Sequence, residues 1–274
     1  MAANEMQWSS ATPGLLIILL DQSGSMLSPF GASGSRTVNR IIDTIIQKNF
    51  DGDTPKNRCF ISVIGYNHNV KEICSGYLKD LDNNPLRVEN IKKRQPDGAG
   101  GIIEVPYQMP IWVEPITQDG ATNMKGALEL AKGLVEKWIQ DKPENPAPVI
   151  INISDGTPYY DCKDVMICMN ETQQVAQSIM DMSTKDGNVL IFNARIGNET
   201  SANVVFPNST ENMSEEQDVF LYNISSVVPD SYKMAAKKSE LNIKDGSHGC
   251  IINADEIQLI QLIDFGSSKG QGDR

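Results

Sequence analysis

The segment "GLLIILL", residues 14–20, constrains the fold more than any other part of the chain, because it is apolar throughout. A strand with one face in water alternates apolar and polar residues. An unbroken apolar strand is typical of a central position in a parallel sheet, where helices cover both faces. The run is also far shorter than the roughly 20 residues that a membrane-spanning helix needs.

Strand-like and helix-like segments alternate along the rest of the chain. "CFISVIGYN" is followed across Asn67-His68-Asn69 by "VKEIC", which indicates a hairpin with an antiparallel edge strand. The helix-like segments carry apolar residues three and four positions apart. Predicted helices are "RTVNRIIDTIIQKNF", "KGALELAKGLVEKWI", about 164–182, about 231–239 and "DEIQLIQLIDF"; further predicted strands are "VIINIS", "NVLIFNARI" and "CIINA".

This order predicts a three-layer α/β fold of Rossmann-like type, with a mostly parallel central sheet, one antiparallel edge strand and helices on both faces. We expect one domain over residues 13–267, with tails at 1–12 and 268–274.

Two regions interrupt the alternation. Residues 79–118 are longer than an ordinary connection, and residues 197–228 look like an Asn- and Ser-rich surface excursion. Lys92, Lys93 and Arg94 are open to two interpretations, a basic contact patch or the C-terminus of a helix that Pro96 stops, and we favour the helix.

Composition narrows the class of partner. The formal charge of −11 disfavours nucleic acid, which is bound through Lys and Arg. Five widely spaced cysteines, an odd number, suggest reduced thiols, and two isolated histidines make a zinc site unexpected. The start "MAANEMQWSS" lacks the cationic region of a secretory leader, so we expect a cytoplasmic protein that binds neither nucleic acid nor membrane.

Oxygen-bearing side chains follow two of the predicted strands. Asp21, Ser23 and Ser25 alternate directly after the first apolar strand, Asp155 follows "VIINIS", and Thr122 precedes an amphipathic helix. Ligands of open parallel sheets bind at the carboxyl ends of the strands. Carboxylates and hydroxyls are the hard donors that Mg²⁺ prefers, and alternate residues of an extended loop point the same way.

Each of these pieces also has an ordinary structural interpretation. Asp-x-Ser-Gly-Ser is a common turn followed by a helix cap, Thr122 suits an N-cap, and "SDG" is an unremarkable turn. Their positions beside strands and a helix favour the metal interpretation.

The phrases "LDQSGSM", "GATNMKGALELA" and "ISDGTPYYD" resemble, in order and spacing, the von Willebrand factor A (vWA) family over most of residues 13–267. The ending "INADEIQLIQLIDFGSS" is similar to stand-alone bacterial members, some of them encoded beside kinases and phosphatases in stress and tellurite-resistance gene clusters. The resemblance departs at residues 79–118 and 197–228.

The resemblance implies a metal-ion-dependent adhesion site that binds Mg²⁺ or Mn²⁺. It implies direct ligation by three hydroxyls, carboxylates that act through water, and capture of an Asp or Glu from a protein partner, with a kinase or phosphatase of a bacterial stress response as a candidate. It also suggests that the final helix, 255–264, moves on binding. The implied metal residues are Asp21, Ser23, Ser25, Thr122 and Asp155; we expect the partner-binding rim at Met26, Asn123, Gly156 and Thr157.

Two other functions use the same place in the sheet. A Mg²⁺-dependent phosphatase or other hydrolase would use Asp21 as a nucleophile, but such an enzyme normally carries a second Asp where this chain has Ser23. No His, Lys or Cys beside the motifs is an obvious general acid or base. We therefore expect no enzyme. Extracellular adhesion would need export, which the start of the chain does not suggest.

Overall fold

A computed structural model describes residues 4–27, 31–96, 102–115, 120–196, 203–211, 213, 215–233 and 243–267. Its strands are β1 (Gly14–Asp21), β2 (Phe50–Asp51), β3 (Thr54–Pro55), β4 (Cys59–Tyr66), β5 (Val70–Tyr77), β6 (Arg87–Pro96), β7 (Ile102–Ile111), β8 (Val149–Ser154), β9 (Leu190–Arg195), β10 (Val204–Val205) and β11 (Cys250–Ile252). Its helices are α1 (Gly31–Lys48), α2 (Leu78–Asn83), α3 (Met124–Asp141), α4 (Val165–Met180), α5 (Glu216–Asn223) and α6 (Glu256–Gly266).

The main sheet has seven strands in the order β10-β11-β9-β8-β1-β4-β5. Strand β1 lies inside the sheet and pairs in parallel with β4 and β8, as its unbroken apolar sequence predicts. Strand β5 runs antiparallel at one edge, which confirms the predicted hairpin. The two-residue β10 adds a second antiparallel pair at the other edge. The mostly parallel α/β sheet is therefore confirmed.

Helices cover both faces of this sheet and form two cores. On β1, Leu16 and Ile18 face the core that contains α1 and α6, while Leu15 and Ile17 face the core that contains α3, α4 and α5. Because successive side chains of a strand point to opposite faces, an entirely apolar strand fills both cores at once. All eight residues of β1 are buried.

The segment 79–118 contains a long β-hairpin, not the helix terminus predicted at Lys92, Lys93 and Arg94. Strands β6 and β7 pair antiparallel over ten residues each, apart from the main sheet. The three cations belong to β6. In a two-stranded ribbon each strand keeps one free edge, so Pro96 fits a strand end instead of stopping a helix.

The segment 197–228 is not wholly a surface excursion. Helix α5 lies within it, and its Phe220 and Leu221 are buried in the core beside α4. Residues 197–202, 212 and 214 lie outside the described residues. So do residues 234–242, which include most of the helix predicted at 231–239, and the tail at 268–274.

Residues 4–12 belong to the folded domain, although a tail was predicted there. The Trp8 ring is buried and packs over Gly14, which has no side chain to obstruct it. Asn4 donates its main-chain N–H to the Asp186 carbonyl at 2.8 Å. Among the helices in the described ranges, none is long and apolar enough to cross a bilayer.

Candidate metal centre

Asp21 is the last residue of β1 and stands opposite Tyr66 at the end of β4. Its side chain is completely buried. One carboxylate oxygen, Oδ1, accepts the main-chain N–H of Ser23 at 2.8 Å. The other, Oδ2, is buried and has no hydrogen-bond partner in the described ranges. A buried carboxylate oxygen without a partner carries a large free-energy cost, so it calls for a cation or a proton.

The loop after Asp21 brings two hydroxyls together. Ser23 and Ser25 lie with their Oγ atoms 3.0 Å apart. Ser23 is buried and Ser25 is exposed, so the pair reaches from the interior to the surface. A short 3₁₀ helix, Gly24–Leu27, holds this loop. The predicted convergence of alternate residues is thus present for the two serines.

The segment that carries Thr122 bridges the other two loops. The Gly120 carbonyl accepts the Gly24 N–H at 3.1 Å, which joins this segment to the serine loop. Thr122 and Tyr159 exchange two main-chain hydrogen bonds, of 2.7 and 3.0 Å, which join it to the loop after β8. Thr122 is buried, and its hydroxyl has no hydrogen-bond partner among described residues.

Asp155 follows the last residue of β8, the neighbour of β1 in the sheet. Its Oδ1 accepts the Thr157 N–H at 3.1 Å, which fixes a tight turn after the strand. Two carboxylates therefore lie side by side at the carboxyl ends of adjacent parallel strands. All five residues predicted to bind metal lie in loops or strand ends that hydrogen bond or pair with one another.

The electrostatics of the two carboxylates favour a cation. Burial raises the pKa of the Asp21 carboxyl to about 7, and the nearby negative charge of Asp155 adds to the rise, while hydrogen bonding from Ser23 opposes it. Burial also raises the pKa of the Tyr66 phenol, and Asp21 and Asp155 both contribute to that rise. Tyr66 therefore lies close to both carboxylates.

The donor set fits a hard divalent cation. It consists of carboxylate and hydroxyl oxygens, which suit Mg²⁺ and Mn²⁺ and do not suit soft metals. Within the described part of the chain, no three His, Cys, Asp or Glu side chains cluster as a metal site. A cation at this place would therefore depend on the three hydroxyls as well as on the two carboxylates.

The predicted rim is only partly at the surface. Met26 is 2% exposed and packs into the core with α1. The prediction that it belongs to the rim is therefore wrong. Met26 lies in the 3₁₀ helix Gly24–Leu27, which turns this apolar side chain inward. Asn123 caps α3 by accepting the Gly126 N–H at 3.0 Å. Gly156 is buried and Thr157 is half-buried, both beside Asp155.

Arg195, at the end of β9, contacts the centre although no motif in the sequence indicates it. Its guanidinium donates to the Asp155 carbonyl at 3.0 Å and to Glu215 at 2.9 Å, and it also pairs with Asp218 of α5. The side chain is only 12% exposed. The only sign in the sequence was a charged residue at the end of a buried strand. That sign does not distinguish a buried guanidinium with several partners from a solvated side chain.

Comparison with known proteins finds structural relatives only. Neither a protein-family model nor a curated protein sequence matches this chain. The pilus adhesin SpaC of Lactobacillus rhamnosus GG is 13% identical over 97% of this chain and 31% of its own, with a TM-score of 0.50. The von Willebrand factor domain of the pilus tip protein Mfa5 from Porphyromonas gingivalis is 16% identical over 54% and 39%, with a TM-score of 0.32.

Proximal thread matrix protein 1 of the mussel byssus, solved with zinc in its metal-ion-dependent adhesion motif, is 13% identical over 80% of this chain and 40% of its own, with a TM-score of 0.43. This chain spans less than half the length of each of these three. The seven-stranded, mostly parallel sheet with its helices, together with the overlap with SpaC at a TM-score of 0.50, identifies the architecture. The fold is vWA-like. Identities this low concern the fold alone.

Proposed function

We propose that this chain is a protein-interaction module without catalytic activity, which captures an Asp or Glu side chain of a partner through a Mg²⁺ or Mn²⁺ ion at the candidate metal centre. The observation that carries the proposal is the buried Asp21 Oδ2 atom, which lacks a partner among described residues and lies near a second carboxylate. A bound cation would neutralise both charges, and a water molecule on that cation would provide the missing hydrogen bond.

The residue types suggest which side chains would contact the ion directly and which would contact it through water. Ser23, Ser25 and Thr122 would hold the ion directly, and Asp21 and Asp155 would hold it through water. Hydroxyl ligands carry no charge, so a bound divalent cation would remain attractive to a carboxylate from outside. Ser25 is exposed, which leaves the outer side of the centre open to a partner.

The proposal includes the identity of the metal ion and the kind of partner protein. The zinc-occupied motif of the mussel protein supports a divalent cation, and the oxygen donors here support Mg²⁺ or Mn²⁺. Because the chain resembles stand-alone bacterial members encoded beside kinases and phosphatases, we propose a cytoplasmic stress-response partner of that kind.

Titration of the purified protein with Mg²⁺ and with Mn²⁺, followed by calorimetry and thermal unfolding, tests the proposal. At about 100 times the dissociation constant, either ion should stabilise the fold by about 2.7 kcal/mol. Thr122→Ala should lose most of this stabilisation, since it removes one direct ligand. Thr44→Ala, at a half-buried threonine of α1 that is not one of the proposed ligands, is the matched control and should keep it. Equal metal binding by the two variants would refute the proposed centre.

The hydrolase alternative has a separate readout. Hydrolysis of p-nitrophenyl phosphate that requires both Mg²⁺ and Asp21 would replace the interaction module with an enzyme. We expect no turnover above that of Asp21→Ala.

A further inference from the structure

A cleft of about 540 Å³ lies beside the candidate metal centre, between its loops and the edge of the main sheet. Its inner wall includes Gln22, which stands between the metal-site residues Asp21 and Ser23. The Gln22 N–H donates to the Tyr66 carbonyl at 2.7 Å. Its side-chain amide lies over Gly65, where a β-carbon would approach Oε1 to 2.3 Å, so the absence of a side chain at Gly65 makes room for it.

The cleft and the metal centre also share the loop after β4. Asn67 lines the cleft, and its carbonyl accepts the Asn123 N–H at 2.9 Å, next to Thr122. A β-carbon on Gly120 would lie 3.2 Å from the Asn67 β-carbon. Residues that line the cleft are therefore adjacent in the chain, or hydrogen bonded through the main chain, to the loops that carry the hydroxyls of the metal centre.

The outer wall is the free edge of the sheet. Across the described ranges, β5 pairs only with β4, and Lys71 and Ile73 of β5 line the cleft. At the far end, Leu86 and Pro115 add apolar surface, and Leu86 is 62% exposed. The free main-chain groups of an edge strand can pair with an extended peptide.

The polar groups left free in the cleft are mainly hydrogen-bond donors. Within the described chain, the side chains of Gln22, Asn69 and Lys71 have no hydrogen-bond or ion-pair partner. The two carboxylates in the lining are already engaged: Glu72 accepts the Ser62 hydroxyl at 2.6 Å, and Glu114 pairs with Arg87. The free groups are thus amides and one ammonium, which suit carbonyl and carboxylate oxygens.

We propose that this cleft binds the acidic peptide segment that continues from the carboxylate captured at the metal centre. The amides of Gln22 and Asn69 bind peptide carbonyl oxygens, and Lys71 binds a second Asp or Glu of the same segment. The volume holds a few residues, and Ile73, Leu86 and Pro115 contact their aliphatic parts. This inference rests on the proposed function and adds to it a partner class, an extended peptide with two acidic residues.

Fluorescence polarisation with dye-labelled heptapeptides tests this inference. Each peptide is glycine except for one Glu, or for two Glu separated by zero, one or two glycines. In excess Mg²⁺, at least one two-Glu peptide should bind about fivefold more tightly than the one-Glu peptide, which corresponds to about 1 kcal/mol. Lys71→Gln should remove this preference. Lys79→Gln, at an exposed lysine outside the cleft, is the control and should keep it.

The outcomes separate the two proposals. The cleft inference is overturned if no two-Glu peptide binds, or if the unaltered protein binds no two-Glu peptide more tightly than the one-Glu peptide. It is also overturned if Lys71→Gln keeps the preference for two Glu. Failure of Mg²⁺ itself to bind, in the calorimetry above, overturns the proposed function. Since the chain carries a net charge of −11, general attraction of acidic peptides does not mimic a specific result.

Discussion

At the scale of single residues, Asp21 makes the metal-free protein less stable at neutral pH. Its folded-state pKa of about 7 lies above its ordinary value of 3.8, so the folded chain binds this proton more tightly than the unfolded chain does. Its contribution to stability is therefore present below about pH 4 and is lost as pH rises through about 7. Burial beside a second carboxylate is the physical cause.

We predict that Asp21→Asn stabilises the metal-free protein at pH 8 by about 2 kcal/mol and has less than half of that effect at pH 5. The Asn side chain keeps an acceptor for the Ser23 N–H and carries no charge. Urea unfolding in EDTA at the two pH values measures the effect. Asp141→Asn, at an exposed aspartate that ends α3, should show no such pH dependence. A destabilised Asp21→Asn protein at pH 8 would contradict this account.

Gly156, next to Asp155, has a backbone conformation that favours glycine. Its φ of +92° is one that other residues rarely adopt, and a β-carbon there would lie 3.2 Å from Leu221 and 3.3 Å from Arg195. We predict that Gly156→Ala destabilises the fold by about 2 kcal/mol and weakens Mg²⁺ binding, because Asp155 would shift.

Gly133 provides the matched control for this substitution. It lies in α3, and a β-carbon there meets nothing within 4 Å. Gly133→Ala should therefore stabilise the protein by about 0.5–1 kcal/mol through helix propensity. Thermal unfolding of the two variants compares them directly, and an equal change in both would show that the backbone at Gly156 is unimportant.

At the scale of elements, Arg195 connects the end of β9 to both the metal centre and α5. It binds the Asp155 carbonyl and the carboxylates of Glu215 and Asp218, and its own carbonyl accepts the Ala254 N–H ahead of α6 at 2.8 Å. Burial raises the pKa of Asp218 although Arg195 lowers it, so loss of the guanidinium would leave a buried carboxylate unpaired.

We predict that Arg195→Gln costs about 3 kcal/mol of stability and also lowers Mg²⁺ affinity. The second substitution Asp218→Asn should restore part of the stability, because it removes the unpaired charge. Arg87→Gln, at an exposed ion pair of the hairpin, should change stability by less than about 1 kcal/mol and leave Mg²⁺ affinity unaltered. If Mg²⁺ affinity in Arg195→Gln equals that of Arg87→Gln, Arg195 does not position Asp155.

The elements also show where sequence patterns succeed. Strands β1, β4, β8 and β9 were predictable because buried strands of a central sheet are mostly apolar on both faces. The β6–β7 hairpin was not, because Pro106 and Pro110 within β7 resemble loop residues, although a two-stranded ribbon leaves free edges where proline fits. Helix α5 was hidden in polar sequence, since few of its residues face the core.

At the scale of the whole molecule, the site follows from the topology. Residues 21, 122 and 155 are distant in the chain, yet a parallel sheet brings the carboxyl ends of β1 and β8 to the same end of the sheet. That rule allowed the five oxygen donors to be predicted together. Contacts between loops, such as those of Arg195 or the burial of Met26, depend on three-dimensional packing that no local pattern records.

The most direct test of the central claim is anomalous X-ray diffraction from crystals of this protein soaked in Mn²⁺. We predict one strong anomalous peak at the carboxyl ends of β1 and β8, about 2.0–2.3 Å from the hydroxyl oxygens of Ser23, Ser25 and Thr122. A peak only elsewhere, or no peak at a Mn²⁺ concentration that saturates binding in solution, would contradict the account.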